Sequence, residues 1–155
     1  MKHPMDHISQ QMSDSMSLVH LRLQPVGARI SFQSNQQLRN LVNSLLATLT
    51  PVHAAGFVHR DIRLDNIVKG PKGWVLIDWE LAGRQDQPVW WTGQILPAAV
   101  KSGSEPYTCK TDLWQIGQLL LTHAISSPGS AAYAHQLMSG HVTSAVMAPA
   151  AEWND

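Results

Sequence analysis

Apolar side chains recur between residues 38 and 52 at steps of three and four, through Leu38, Leu41, Val42, Leu45, Leu46, Leu49 and Val52. That spacing draws one continuous stripe down a helix. Ser34 followed by Gln37 has the separation of a capping box, so the helix is predicted to open there. Gly56 suits the left-handed residue that closes such a helix. Pro51 interrupts the pattern; it removes a helical hydrogen bond at a cost of about 3 kcal/mol, so a kink is expected near residues 46–50. Upstream, Val19-His20-Leu21-Arg22-Leu23 alternates as a half-buried strand does, and Gln24-Pro25-Val26-Gly27 breaks it.

Beyond the helix, residues 57–66 read as a loop. Ile67-Val68-Lys69 and Trp74-Val75-Leu76-Ile77 are β-rich runs separated by Gly70-Pro71-Lys72-Gly73, the signature of a hairpin. A four-residue turn places Lys69 opposite Trp74 and so Asn66 opposite Ile77. Residues 79–108 carry Gly, Pro and charges without a period and are expected to form a long ordered loop. Residues 113–125 are apolar almost all round, which predicts a helix inside the core. Residues 131–138 and 143–153 have the makings of two further short helices.

Composition adds limits. At 155 residues with 44% hydrophobic side chains, the chain can fill one core. Eleven basic and eleven acidic residues cancel, so the concentrated positive field that nucleic acid or an anionic membrane requires is absent. Cys109 is the single cysteine and reads as a small apolar filler; without a disulfide partner it points to a reducing, intracellular and cytoplasmic setting. No stretch reaches the ~20 apolar residues of a membrane span. Residues 1–17, polar and rich in Met, Ser and His, are expected to lie outside the folded domain, which occupies 18–155.

Three oxygen-bearing side chains then stand out. Asn66 precedes the first hairpin strand, Asp78 follows the second, and Asp61 sits five residues before Asn66 on the loop that feeds it. Hard oxygen donors gathered at the open end of one hairpin suit Mg²⁺, which takes carboxylate and amide oxygens together with substrate phosphates.

The run His59-Arg60-Asp61-Ile62-Arg63-Leu64-Asp65-Asn66 resembles the catalytic loop of the protein kinases, and Asp78-Trp79-Glu80 falls where that family carries Asp-Phe-Gly. Leu21 to Gly27 is similar to the last strand of the N-terminal lobe and the hinge, Ile95-Leu96-Pro97-Ala98 to the Ala-Pro-Glu segment, and Thr111-Asp112-Leu113-Trp114-Gln115-Ile116-Gly117 to the start of the central helix. The resemblance implies an α+β, mainly helical C-terminal lobe with a small hairpin beside the catalytic loop. It implies ATP and Mg²⁺ as cofactors and a protein hydroxyl as acceptor. Asp61 would then orient or deprotonate the attacking hydroxyl, and Arg63, where serine/threonine kinases usually carry Lys, would neutralise the transferring phosphoryl group. Asn66 and Asp78 would hold the metal, Gln24 and Val26 would meet the nucleotide from the hinge, and His59, Arg60 and Asp112 would support the loop.

Departures from the family pattern shape the remaining expectations. No Gly-rich loop, strand lysine or partner glutamate precedes Val19, so the chain is expected to be a truncated kinase with little activity alone, its N-terminal lobe encoded in a longer product. Glu80 in place of glycine is similar to the aminoglycoside and choline kinases, which leaves a small-molecule kinase as one alternative and a non-catalytic binding module as another. Ala98 stands where the family carries a tethering Glu. Trp79, Trp114 and Trp153 are expected in the core, Trp90-Trp91 packed against it, and His123 and His135 free of metal. Tyr107 and Thr108 are candidate phosphorylation sites by location alone.

Overall fold

The computed structural model describes residues 30–87, 95–123 and 128–141. The N-terminal segment, the strand at 19–23, Gln24, Val26, Trp90-Trp91 and the helix at 143–153 lie outside the described residues.

Helix α1 spans Asn35–Ala54. Ser34 is its N-cap, in extended conformation, and its Oγ accepts from the Gln37 amide at 3.4 Å. The Gln37 side chain turns back one residue further than a capping box requires, and its Oε1 accepts from the Gln33 amide. Leu38, Leu41, Val42, Leu45, Leu46 and Leu49 are buried, as the stripe predicts. Each contributes roughly 1.5–3 kcal/mol of burial. The helix runs through Pro51 for three more residues and ends at Gly56 with φ +79.

Strand β1 (Phe57–Val58) and a 3-10 turn (Leu64–Asn66) bracket the sharp loop between them. Strands β2 (Ile67–Gly70) and β3 (Gly73–Leu76) form the expected hairpin, with Lys69 opposite Trp74. The connection is tighter than expected: Gly70 pairs with Gly73, leaving Pro71 and Lys72 as a two-residue turn. Gly73 takes φ +134, a conformation closed to other residues at little cost. The Lys69 ammonium lies 4.1 Å from the centre of the Trp74 ring, a cation–π pair across the strands.

The segment after the hairpin is more structured than an aperiodic loop. Strand β4 (Gly83–Arg84) pairs antiparallel with β1, so a second two-stranded sheet closes across the loop between them. A short helix α2 (Ala98–Lys101) follows. Helix α3 covers Cys109–His123, beginning four residues before the apolar run because Thr111 and Asp112 are themselves buried. Helix α4 (Pro128–Met138) starts three residues earlier than expected and packs along α3.

The architecture is α+β and mainly helical. One core joins α1, the hairpin residues Ile67 and Leu76, the loop residue Ile62, and Leu113, Ile116, Leu119 and Leu120 of α3. A satellite cluster unites Val58, Val100 and Tyr107. Trp79 departs from the expected core position: it is 38% exposed, with its ring edge on His59 and its Nε1 donating to the Leu76 carbonyl. Trp114 is half-buried. Among the described residues, no helix is long and apolar enough to cross a membrane.

Candidate active site

The loop from Val58 to Asn66 is bound to the core by one buried carboxylate. Asp112, at 0% exposure near the start of α3, accepts from the His59 amide at 2.8 Å through Oδ2 and from the Arg60 amide at 2.9 Å through Oδ1. The Tyr107 hydroxyl donates to Oδ1 at 2.8 Å, and His53 Nε2 lies 2.9 Å from Oδ2. A carboxylate removed from water needs such partners, and these four supply them.

That grip holds Arg60 at φ +76, a left-handed conformation a side chain rarely takes. The reversal sends the guanidinium toward β4, where Nη2 donates to the Arg84 carbonyl at 2.7 Å. His59 Nδ1 accepts from the Asp61 amide and Nε2 faces the Ile77 carbonyl at 3.1 Å, so the Nε2–H tautomer satisfies both. Burial lowers the imidazole's pKa below its ordinary 6.5, against the opposing pull of Asp112, the Ile77 carbonyl, Asp61 and Asp78.

Asp61 is 6% exposed and Asn66 4%. The Asn66 amide nitrogen donates to the Asp61 carbonyl at 2.9 Å and to its Oδ2 at 2.7 Å, bending the intervening turn back on itself. Arg63 Nε reaches the same Oδ2 at 3.2 Å from a side chain that is 55% exposed. Asp61 Oδ1 accepts from none of the described donors, and the residue lines a cleft of about 430 Å³ with Ile62, Arg63, Ile95, Gln115 and Thr122. The cleft thus combines an oriented carboxylate, a mobile-length cation and an apolar wall.

The hairpin carries Asp78 to the other side of Asn66. The Ile77 amide donates to the Asn66 carbonyl at 2.8 Å, continuing the strand register by one pair. Asp78 is exposed and takes φ +62. Asn66 spends its amide protons on Asp61, leaving its Oδ1 without a donor among the described residues. An amide oxygen and an exposed carboxylate at the same end of one hairpin are hard donors of the kind Mg²⁺ takes, together with waters and substrate phosphates. Among the described residues, no group of three or more His, Cys, Asp or Glu is arranged to hold a metal ion.

Several supporting residues were not legible as such in the sequence. His53 and Tyr107 hold Asp112, and Tyr107 is fully buried with a phenol pushed well above its ordinary range by burial and by Asp112. That corrects its reading as a phosphorylation candidate, because the hydroxyl is sequestered. Gly83 leaves room for the Arg60 guanidinium, whose Nη1 would lie 2.9 Å from a Cβ placed there. Gln115, also buried, bonds to the loop on both sides of Asp61. Its signal was present: a polar residue one turn after Asp112 in a helix whose buried side chains are mostly apolar. Burial raises the Cys109 thiol, in keeping with an inert filler.

The phosphotransferase enzyme family matches residues 2–87, more than half of the chain. A ribosomal protein S6 kinase-related protein of Homo sapiens is 31% identical over 113 residues, 68% of this chain and 27% of that protein. A serine/threonine-protein kinase of Gallid herpesvirus 2 is 27% identical over 99 residues, covering 59% of this chain and 25% of its own length. The chain therefore spans about a quarter of the length of these relatives. With that family match over more than half of its length, the chain belongs to the phosphotransferase enzyme family and carries a protein-kinase-like domain.

Proposed function

We propose that this chain forms the catalytic-loop lobe of a protein kinase and transfers the γ-phosphoryl group of ATP to a hydroxyl of a protein substrate. The observation that carries the reading is the state of the Asp61 carboxylate. One oxygen is held by Asn66 and Arg63, and the other has no donor among the described residues while the residue lines the 430 Å³ cleft. A carboxylate so fixed can accept a hydrogen bond from an acceptor hydroxyl entering the cleft and take its proton as the oxygen attacks. The half-apolar cleft accommodates a side chain with its flanking backbone.

Asn66 Oδ1 and Asp78 would hold Mg²⁺, which supplies positive charge against the nucleotide phosphates when bound. Arg63, long and exposed, adds a planar donor pair beside Asp61 that can meet a phosphoryl oxygen. His59 stays neutral in its buried position and spaces the loop from Ile77 rather than exchanging protons with the substrate. The protein's contribution is position and electrostatics, since a loose phosphoryl transfer needs little covalent participation.

The test is transfer of ³²P from Mg·ATP to dephosphorylated casein, alongside aminoglycoside and choline acceptors, with an N-terminal kinase lobe added in trans. Asp61→Asn should lower turnover by about 10²–10⁴-fold with nucleotide affinity nearly unchanged. Asp78→Asn should weaken Mg·ATP binding as well as turnover. Full activity of Asp61→Asn rejects the mechanism, and transfer to aminoglycosides or choline alone rejects the protein acceptor.

A further inference from the structure

Gln115 spends both amide protons and one oxygen lone pair on backbone groups, with the Tyr107 hydroxyl beside its oxygen. Its Oε1 accepts from the Ile62 amide at 2.9 Å and lies 3.0 Å from the Tyr107 hydroxyl. Its Nε2 donates to the Arg60 carbonyl at 3.2 Å and to the Ile95 carbonyl at 3.2 Å. Arg60 and Ile62 flank Asp61, so a single amide fixes the peptide planes before and after it. Ile95 belongs to the separate segment leading into α2, and it lines the same cleft as Asp61 and Gln115. Asp112, by contrast, holds only the entry to the loop, at His59 and Arg60.

We infer that Gln115 is a positioning residue that couples the acceptor-side segment at Ile95 to the aim of the Asp61 carboxylate. This rests on the phosphotransfer reading of Asp61. A segment displaced at Ile95 withdraws one acceptor from Nε2, and the amide can then rotate away from the loop. The Asp61 carboxylate would lose its fixed direction while Asn66 still holds one oxygen. A substrate that seats the Ile95 segment would do the reverse and align Asp61 as it binds. An amide is the side chain that can do this, because Arg60 and Ile95 present carbonyls and Ile62 presents an N–H, which requires donor and acceptor on one group.

The experiment compares Gln115→Met, which keeps the volume and loses all these bonds, with Gln115→Glu, which keeps the acceptor for Ile62 but sets a carboxylate against two carbonyls. Leu120→Ala, a core truncation on the same helix, serves as the comparator for simple destabilisation. Readouts are hydrogen exchange of individual amides and steady-state transfer from Mg·ATP to casein at a temperature where all four proteins are folded. In Gln115→Met the Ile62 amide should exchange about tenfold faster or more, and so should the Lys101 and Ser102 amides that close α2. The His59 and Arg60 amides should keep their protection through Asp112. Turnover should fall about 10- to 100-fold with KM for Mg·ATP within about twofold of wild type. Gln115→Glu should retain protection at Ile62, lose it at Lys101 and Ser102, and lose turnover similarly. Leu120→Ala should lower all protections together and leave turnover near wild type.

Gln115→Met with unchanged exchange at Ile62 or at α2, or with exchange altered and turnover intact, overturns the inference. A wild-type chain that transfers no phosphate to casein even with an N-terminal kinase lobe added in trans counts against the phosphotransfer reading instead. The coupling is then decided by exchange alone, with joint loss at Ile62 and α2 supporting it and retained protection at either overturning it. Should Gln115→Met fail to fold, the exchange pattern of Gln115→Glu decides in the same way.

Discussion

The guanidinium of Arg60 lies directly over the α-carbon of Gly83, with Nη1 2.9 Å, the central carbon 3.0 Å and Nη2 3.1 Å from where a Cβ would stand. Gly83 pairs with Val58 in the small sheet, so the two-stranded β1–β4 pairing and the left-handed loop residue share one volume. Side-chain identity at position 83 thereby reaches the loop that carries Asp61, twenty-two positions earlier in the chain.

Gly83→Ala should therefore displace Arg60 rather than merely stiffen the strand. The far end of an arginine can move, but here it is anchored to the Arg84 carbonyl at 2.7 Å, and moving it breaks that bond. Overpacking of this kind costs typically 1–3 kcal/mol. Urea unfolding should show a lower midpoint with an unchanged slope, and the double variant Gly83→Ala with Arg60→Ala should recover part of the loss. Additive losses in the double variant would show that the two residues do not meet.

Asp112→Asn should be among the most damaging single-atom changes in the chain. The new amide nitrogen cannot accept from the backbone amide of His59 or Arg60, so at least one buried N–H loses its partner. An unmet buried donor costs about 1–3 kcal/mol, and the lost charge weakens the remaining bonds further. Thermal melting should reveal the loss, and the His59 or Arg60 amide should exchange faster than the amides of α1. Equal stability of Asp112→Asn would mean that the carboxylate's four partners contribute little.

Stability should also rise with pH over the range just below 6.5 through His59. Burial holds its folded pKa below the ordinary 6.5, so in that window the unfolded chain binds more protons than the folded one. Above 6.5 the folded state keeps its full advantage; as pH falls toward the folded pKa, the advantage is lost. His59→Asn removes the titrating ring, so its melting temperature should depend less steeply on pH in this window than that of wild type. Parallel profiles for the two proteins would assign the titration to other groups.

Much of this was readable in the sequence where local chemistry decides. The α1 stripe, the Ser34 cap and the hairpin register depend on neighbours a few residues apart, and each stands as the pattern implies. The pieces that were not readable are made by distant pairings. Strand β4 exists because Gly83 and Arg84 meet Val58 and Phe57, a contact with no periodic trace in the sequence. Trp79 was expected in the core on its size, yet its ring packs edge-on against His59 and stays partly in solvent. The extra turn at the start of α3 likewise carries buried Thr111 and Asp112, whose polarity hides them from a hydrophobicity count. At the candidate site the sequence order singled out Asp61, Asn66 and Asp78 as candidates, but not the His53, Tyr107 and Gln115 side chains that hold the loop, because those act across fifty residues or within a buried polar network.

Asn66 offers a way to separate two duties that a simple truncation would confuse. Its nitrogen donates to Asp61 Oδ2 at 2.7 Å and to the Asp61 carbonyl at 2.9 Å, while its oxygen has no donor among the described residues and is suited to a metal. Asn66→Ala removes both features and would lower turnover on either account. Asn66→Asp keeps a hard oxygen, and adds charge that favours a cation, but replaces the donor by a second acceptor facing the Asp61 carboxylate. Like charges at that separation repel, so Asp61 should turn away from its fixed direction. Mg·ATP affinity, followed by calorimetry, should stay within about threefold of wild type or tighten, while turnover should fall about 10²-fold through lost orientation. Weakened binding with turnover per bound nucleotide intact would make the metal the main duty of Asn66. Unaltered turnover would mean that the hydrogen bond to Asp61 does not set the carboxylate's direction, and the assignment of Asp61 as the oriented base would fall with it.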